Sequence, residues 1–174
     1  MNQQLTKEQV VTILDRSLFE MEYKDIEKAS IHGEAKLAGF ILGACFIDAM
    51  AGFYAGINRQ ESKTNSGNRF KNFVKKYFKK YDSDKLWEDL RCGLVHSYAV
   101  GDTYVFTDAN KAGYHFNHIN DGTILLNLED FCADLRGAYR LYRNDILNDS
   151  DIYDKALRRL VDMGTMGLKN IQNI

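Results

Sequence analysis

Proline is absent from all 174 residues. Because proline is the usual internal breaker of helices, its absence favours long uninterrupted ones. A dominant charge is missing too: 23 Lys and Arg against 24 Asp and Glu leave a net charge of −1. Nothing global therefore points to nucleic acid or a membrane surface, and any charge argument must be local. Cysteine is scarce. Cys45, Cys92 and Cys132 are odd in number, widely spaced and in no C-x-x-C arrangement. Each falls in an apolar run, which suits reduced, buried thiols in a cytoplasmic protein. The first residues, MNQQLTKEQVV, lack the basic region and apolar stretch of a secretory signal, so a cytoplasmic location is the expectation. Internal repeats, low-complexity linkers, Gly-rich phosphate loops, G-x-S-x-G, H-E-x-x-H and the Rossmann fingerprint are all missing, which removes the function classes they mark. No cofactor is expected.

What remains is the composition of a single packed domain spanning 1–174, with 45% hydrophobic and 27% charged residues. The one long apolar run, Leu37 to Ile57, contains a single charge, Asp48. Its length would suffice to span a bilayer. A mid-membrane aspartate is costly, however, and the run is rich in Gly and Ala. A buried central helix with no membrane contact is the better reading. Gly39 with Gly43, and Gly52 with Gly56, would let a neighbouring helix approach closely, in the core or at a dimer seam.

Periodicity sets out about six helices. The first runs from about Lys7 to Tyr23, with Thr6 and Gln9 as a capping box. The second lies between Gly33 and Ile57. After a loop at 58–68, a third carries Phe70, Phe73, Val74, Tyr77, Phe78 and Tyr81 on its buried stripe. A fourth starts at an Asp-Ser-Asp cap, residues 82–84, turns Leu86, Trp87, Leu90, Leu94 and Val95 inward, and ends near Val100-Gly101. The period then changes. Thr103–Thr107, Tyr114–Ile119 and Thr123–Leu126 read as short strands, with a tight turn at Asp121-Gly122. A fifth helix capped by Asn127 buries Leu128, Phe131, Cys132, Leu135, Ala138, Tyr139 and Tyr142. A sixth, capped by Ser150, runs from about Asp151 to Val161, before a polar end that frays. The expected fold is mainly α: an antiparallel helical bundle with a small antiparallel β meander inserted at about 103–126.

The residues able to do chemistry cluster in Arg91-Cys92-Gly93-Leu94-Val95-His96-Ser97-Tyr98. Arginine offers a fixed fork of donors that matches a phosphate. Histidine exchanges a proton near neutral pH. Together they suffice in principle to cleave RNA, histidine handling the ribose hydroxyl proton and arginine the charge developing on phosphorus oxygens. On an ideal helix, though, residues five apart sit about 140° from each other around the axis. A histidine beside Leu94 and Val95 also suits a core position with a satisfied hydrogen bond. Asp48 needs a partner in its apolar helix; Arg91 or His96 would serve, either to orient the site or as a structural ion pair.

Residues 59–80 hold eight Lys or Arg and one acid, Glu61. Arg69, Lys71, Lys75, Lys76, Lys79 and Lys80 suit phosphate-backbone binding with Tyr77 or Tyr81 available for stacking, and suit a solvated helix face as well. His115 and His118 would point to opposite faces of a strand and lack enough partner ligands for a metal. They read as surface residues, and His32 as a loop residue.

The stretch Arg91, His96, Tyr98 resembles the R-x4-H-x-Y signature of the HEPN superfamily, helical domains of prokaryotic toxins, defence systems and RNA-processing ribonucleases. The resemblance implies that Arg91 and His96 form a metal-independent endoribonuclease pair in the cleft of a homodimer, where one protomer's arginine can serve the other's histidine. In toxin members the tyrosine matching Tyr98 receives a nucleotide from a partner nucleotidyltransferase antitoxin. Where such nucleases usually place a polar residue after the arginine, often asparagine, this chain has Cys92, a weak hydrogen-bond partner. That departure supports a second expectation, a catalytically silent HEPN-like module binding nucleic acid, nucleotide or a protein partner. A third is a helical domain whose Arg91 and His96 are structural.

Overall fold

Thr6 opens the first helix as a capping box: its Oγ1 accepts from the Gln9 N–H at 3.3 Å, and Gln9 Oε1 accepts from the Thr6 N–H at 2.8 Å. The computed structural model describes residues 4–58, 61, 65–99, 101–108, 113–119 and 122–163. In it this helix does not stop at Tyr23. Lys7–Leu14, Asp15–Tyr23, Lys24–Glu27 and Lys28–His32 follow one another without a break and make up α1. The second and fourth of these stretches are wound as π-helix. No glycine or proline interrupts the segment, and the burial of Ile26 and Ser30 continues its inner face. His32, expected in a loop, is the last residue of α1.

Helix α2, Lys36–Ala55, is the centre of the fold and packs against every other helix. It is long and apolar enough to cross a membrane by length and composition, and over half of its most apolar window is buried inside the domain. Its glycines account for the close packing. A Cβ on Gly39 would lie 2.5 Å from the Ser30 Cβ of α1, and one on Gly43 would lie 2.5 Å from the Phe131 ring. The small-residue stripes therefore serve packing within the chain. Gly56, at φ +64°, ends the helix in the left-handed conformation that glycine adopts without steric penalty.

Helix α3, Ser66–Tyr77, buries Phe70, Phe73, Val74 and Tyr77. The apolar stripe continues past its end, where Phe78 leaves helical geometry yet stays buried with Tyr81. Helix α4 is built from Ser83–Lys85, a π-helical Leu86–Leu94 and Val95–Ser97. Asp82 caps it, its carboxylate accepting from the Asp84 and Lys85 N–H groups. It ends at Ser97, earlier than expected; of the two residues expected at its end, Val100 lies outside the described residues.

Two short strands follow, β1 (Tyr104–Thr107) and β2 (Ile124–Asn127), and they pair in parallel from Tyr104↔Ile124 to Thr107↔Asn127. This corrects the expected antiparallel meander. Residues 108–123 form a connection long enough to return the chain to the same end of the sheet, as parallel pairing requires. Among the described residues, antiparallel pairing is confined to 116–119 against 123–125, between the end of that connection and the start of β2. Ile119 N–H donates to Thr123 O, Phe116 N–H donates to Leu125 O, and Leu125 N–H donates to Asn117 O, each at 2.8 Å. Tyr114–Ile119 therefore contributes one bridge, His118↔Ile124, and no strand. Gly122 has the positive φ expected of its turn, while Asp121 lies outside the described residues.

Asn127 caps α5, Leu128–Asn148, accepting from the Asp130 N–H at 3.1 Å. The expected face is buried, extended by Ile146. For α6, Ser150–Met163, the cap is Asp149 and not Ser150: its Oδ1 accepts from Asp151 N–H at 2.9 Å and Ile152 N–H at 3.3 Å. The chain end expected to fray lies outside the described residues. The result is a mainly α domain of six helices with a small two-stranded parallel sheet.

Candidate active site at the end of α4

The winding of α4 decides the geometry. In its π-helical stretch the backbone bonds span five residues, with the Val95 N–H reaching the Leu90 carbonyl. This wider turn brings residues five apart onto neighbouring positions, and such turns recur at functional sites. The 140° separation of an ideal α-helix therefore does not hold here. Arg91 Nη1 donates to His96 Nε2 at 2.9 Å within a single chain.

Arg91 is held from three directions. Its Nε and Nη2 both donate to Asp48 Oδ2, at 3.0 and 2.9 Å. Its guanidinium carbon lies 5.9 Å from the centre of the Trp87 ring. The pair is largely shielded, with side chains 18% and 21% exposed. Asp48 thus finds its partner in Arg91, as its apolar surroundings demand. Three of the five guanidinium N–H donors are engaged, which leaves two for a ligand.

An arginine can only donate, so His96 must accept through an unprotonated Nε2, with the proton of the neutral ring on Nδ1. His96 itself is exposed. In this arrangement a neutral base sits beside a fixed cation, with the lone pair needed for proton abstraction already in use. A phosphate that draws Arg91 Nη1 toward itself would release that lone pair.

Tyr98 ends the helix. It adopts φ +51°, its N–H donates to Leu94 O at 3.2 Å and the Ala99 N–H donates to Gly93 O at 3.4 Å, which closes the helix in a left-handed terminus. Its side chain is 76% exposed, and among the described residues no hydrogen bond reaches its hydroxyl. Behind it, the buried Asp89 accepts from the Thr103 N–H at 2.9 Å. Gly101 passes so close that a Cβ there would lie 1.9 Å from Asp89 Oδ1. This latch ties the end of the motif to the start of β1.

Of the three cysteines, only Cys132 is buried; Cys92 is half-buried and Cys45 exposed. The expectation of three buried thiols fails because α2 and α4 are not covered all round at those positions. Burial pushes the Cys92 thiol up despite the Arg91 cation beside it, so it is a neutral thiol at neutral pH and no nucleophile.

The basic segment is not one face. Lys71 pairs with Asp84 at 2.6 Å, and Lys76 pairs with Asp145 at 2.9 Å while lying over the Tyr54 and Tyr77 rings. Lys75, Lys79 and Lys80 are exposed, Arg69 lines a cavity, and Arg59 lies outside the described residues. Tyr77 and Tyr81 are buried and cannot offer a stacking surface. Their hydroxyls donate to Asp145 and Asp134 at 2.8 and 2.9 Å.

His115 is a further correction. It is a packed residue, 11% exposed, not a surface one. Its Nδ1 accepts from the Asn127 N–H at 3.1 Å, which leaves Nε2–H to donate to Asp134 at 3.2 Å. Burial works to raise the Asp134 pKa, but hydrogen bonds from His115 and Tyr81 hold it below the usual carboxylate range. This network fastens the sheet to α5. His118 is exposed.

Two residues near the site were not read from the sequence. Glu22 on α1 is desolvated, which pushes its carboxyl up to about 7, and its charge is felt at Cys45. Arg159 on α6 reaches the cavity beside Asp48. The available signal was its spacing, three residues after Ala156 and seven after Ile152, along the edge of the buried stripe.

No protein-family model, no curated protein and no solved structure matches this chain.

Proposed function

We propose that this chain is a HEPN-like domain that cleaves RNA with Arg91 and His96. One observation carries the reading: the two side chains of the R-x4-H-x-Y motif meet at 2.9 Å while Asp48 holds the Nε–Nη2 edge of the arginine. His96 takes the proton from a ribose 2′-hydroxyl, whose oxygen then attacks the adjacent phosphorus. The bond to the 5′-oxygen breaks, that oxygen leaves as a hydroxyl with the proton returned by His96, and Arg91 stabilises the charge gathering on the phosphoryl oxygens. Side chains supply both functions, so the reaction proceeds without a metal.

In this reading the domain acts in the cytoplasm as a homodimer with two such sites, in a defence or toxin–antitoxin setting. The exposed hydroxyl of Tyr98 is then the natural acceptor for nucleotide addition by a partner nucleotidyltransferase. Sedimentation velocity tests the dimer, and mass spectrometry of protein made beside a candidate partner tests the modification. The deciding experiment is cleavage of RNA in EDTA by wild type and by His96→Ala. Activity that persists in His96→Ala sinks the mechanism.

A second reading is favoured by two observations. His96 Nε2 is already engaged by Arg91, and Cys92 stands where a stronger hydrogen-bond partner is usual. A silent HEPN-like module would bind nucleic acid, nucleotide or a protein through the same residues. Binding of RNA by wild type with no cleavage at any pH selects it.

A further inference from the structure

Asn127 serves two elements at once, as the last residue of β2 and the cap of α5. It is buried, and its N–H donates to His115 Nδ1 at 3.1 Å. A backbone N–H can only donate, so this contact exists only while Nδ1 carries no proton. The single proton of the neutral ring then sits on Nε2, which lies 3.2 Å from both Asp134 Oδ2 and Tyr81 Oη. Both ring nitrogens are therefore engaged, one as acceptor and one as donor.

A second proton reverses the role of Nδ1. Two donors, Nδ1–H and the Asn127 N–H, would then face each other across a gap that fits one hydrogen, and one side must move. The Nε2 side is the firmer, because an imidazolium gains a charge-assisted bond to the Asp134 carboxylate. The Phe116 and Tyr81 rings also stand against His115, with centroids 4.1 and 6.0 Å away. The contact with Asn127 is the one that yields. Phe116, the next residue, is held at φ +62°, a conformation that L side chains rarely adopt. The segment carrying His115 is thus under backbone strain while the contact is closed.

The neighbours leave the ring as the group that takes this proton. Burial pushes the Asp134 carboxyl up, but hydrogen bonds from His115 and Tyr81 outweigh it and hold it below the usual range. Burial and then the Asp134 charge push the Tyr81 phenol far up, so it keeps its proton and goes on donating to Asp134. The other groups whose charge reaches this network are Lys80 at Asp134, and Asp130 on α5 and Tyr104 on β1 at Tyr81.

We propose that His115 is a proton-operated clasp: neutral, it pins the junction of β2 and α5 to the 113–119 segment, and protonated, it lets go of Asn127 while keeping Asp134. The clasp stands whether or not the chain cleaves RNA. What it frees leads toward α4, since the Ile124 N–H donates to Thr103 O and the Thr103 N–H to Asp89.

Nuclear magnetic resonance of the full chain tests it. At about pH 8, where an ordinary histidine is neutral, proton–nitrogen correlation of the ring should place the His115 proton on Nε2. As pH is lowered, the ring signals report proton uptake and the Asn127 amide reports the contact. The two should change with one midpoint. Amide protection at Asn127, corrected for its intrinsic exchange rate, should fall by about tenfold, the worth of one hydrogen bond. A ring proton on Nδ1 at the start, or full protection of Asn127 beside a protonated ring, overturns the proposal.

His115→Asn puts a carbonyl oxygen in place of Nδ1 and takes up no proton, so Asn127 should stay protected throughout. The same loss in this variant would assign the effect to another group and refute the clasp. His118→Asn removes the other histidine of the segment, which is exposed, and should leave the wild-type response unchanged; its disappearance there also refutes the clasp. Where circular dichroism shows that His115→Asn does not fold, Asp134→Asn decides. Removing the carboxylate disfavours a charged ring, so the ring and Asn127 curves should move together to lower pH. Curves that part company overturn the proposal.

Discussion

Glu22 makes the stability of this domain fall as pH rises, and Glu22→Gln should abolish that part of the dependence. The carboxyl titrates at about 7 in the folded chain against an ordinary 4.5, because burial disfavours its charge. The folded state therefore binds more protons than the unfolded chain between these two values, and stability drops with increasing pH through that window. Each pH unit is worth about 1.4 kcal/mol, so the full span from 4.5 to 7 is on the order of 3 kcal/mol. The side chain is half-buried and can turn partly to water, which discounts this to about 1–3 kcal/mol. For a chain of this length that is about 2–12 °C in Tm.

Urea unfolding followed by the fluorescence of Trp87, the only tryptophan, measures it at pH 4.5, 6, 7 and 8. The quantity to compare is the difference between wild type and Glu22→Gln at each pH, in which the contributions common to both proteins cancel. That difference should be smallest at pH 4.5 and grow in favour of the variant up to about pH 8. Asp134 and Asp145, whose pKa values are lowered, act in the opposite sense and only below about pH 4, outside the window. Parallel curves for the two proteins across this range would refute the desolvation argument.

Asp48→Asn replaces the acceptor of both Arg91 bonds and should lower stability by about 1.5–3 kcal/mol, the range for hydrogen bonds to charged groups; unchanged unfolding together with unchanged RNA cleavage would remove Asp48 from the site. Gly101→Ala drives a methyl into the buried Asp89 carboxylate and should destabilise by about 1–3 kcal/mol, with a loss of amide protection at Thr103 visible by hydrogen exchange. Arg91→Lys keeps the charge but not the three-way fork, so RNA cleavage should fall by at least about tenfold, a loss of roughly 1.4 kcal/mol; retention of full activity would mean that charge alone suffices. If exposed Lys75, Lys79 and Lys80 meet an RNA backbone, affinity should fall steeply with salt, and their triple Gln variant should flatten that dependence.

Much of the helical frame was legible because its signals are local. Thr6, Asp82 and Asn127 cap helices where their side chains allow, and the stripe on α5 reads directly as a buried face. The missed continuation of α1 followed from the polar run Lys24–Lys28, whose single buried residue, Ile26, is enough to hold the helix to the core. The direction of the strands was not legible, since it depends on the path of residues 108–123 and not on the alternation within either strand. The burial of Tyr77 and Tyr81 could be read from their stripe, but not their acidic partners on α5, Asp145 and Asp134, 68 and 53 residues away. At the site, residue types pointed to Arg91, His96 and Asp48, and to Arg91 or His96 as the partner Asp48 needs, but not to the contact between Arg91 and His96 within one chain. Helix winding is a collective property of backbone bonding, and a wide turn leaves no mark in the residue types. The position of Arg159 was hidden for a related reason, as its guanidinium lies where a side chain at residue 52, on another helix, would stand.

The wide turn in α4 also governs how the motif could change by single codons. It amounts to one residue more than a regular helix would place between the same two points. Loss of one residue between Arg91 and His96 would leave them four apart, the spacing at which a regular α-helix already makes side chains neighbours. The pair would survive, and everything beyond it, Tyr98 included, would keep its direction, because the extra residue is the one removed. Gain of one residue has no such refuge, because no common helix places residues six apart side by side. The pairing of Arg91 with His96 is therefore tolerant of shortening and intolerant of lengthening, and a shortened helix would still present Tyr98 on the same side.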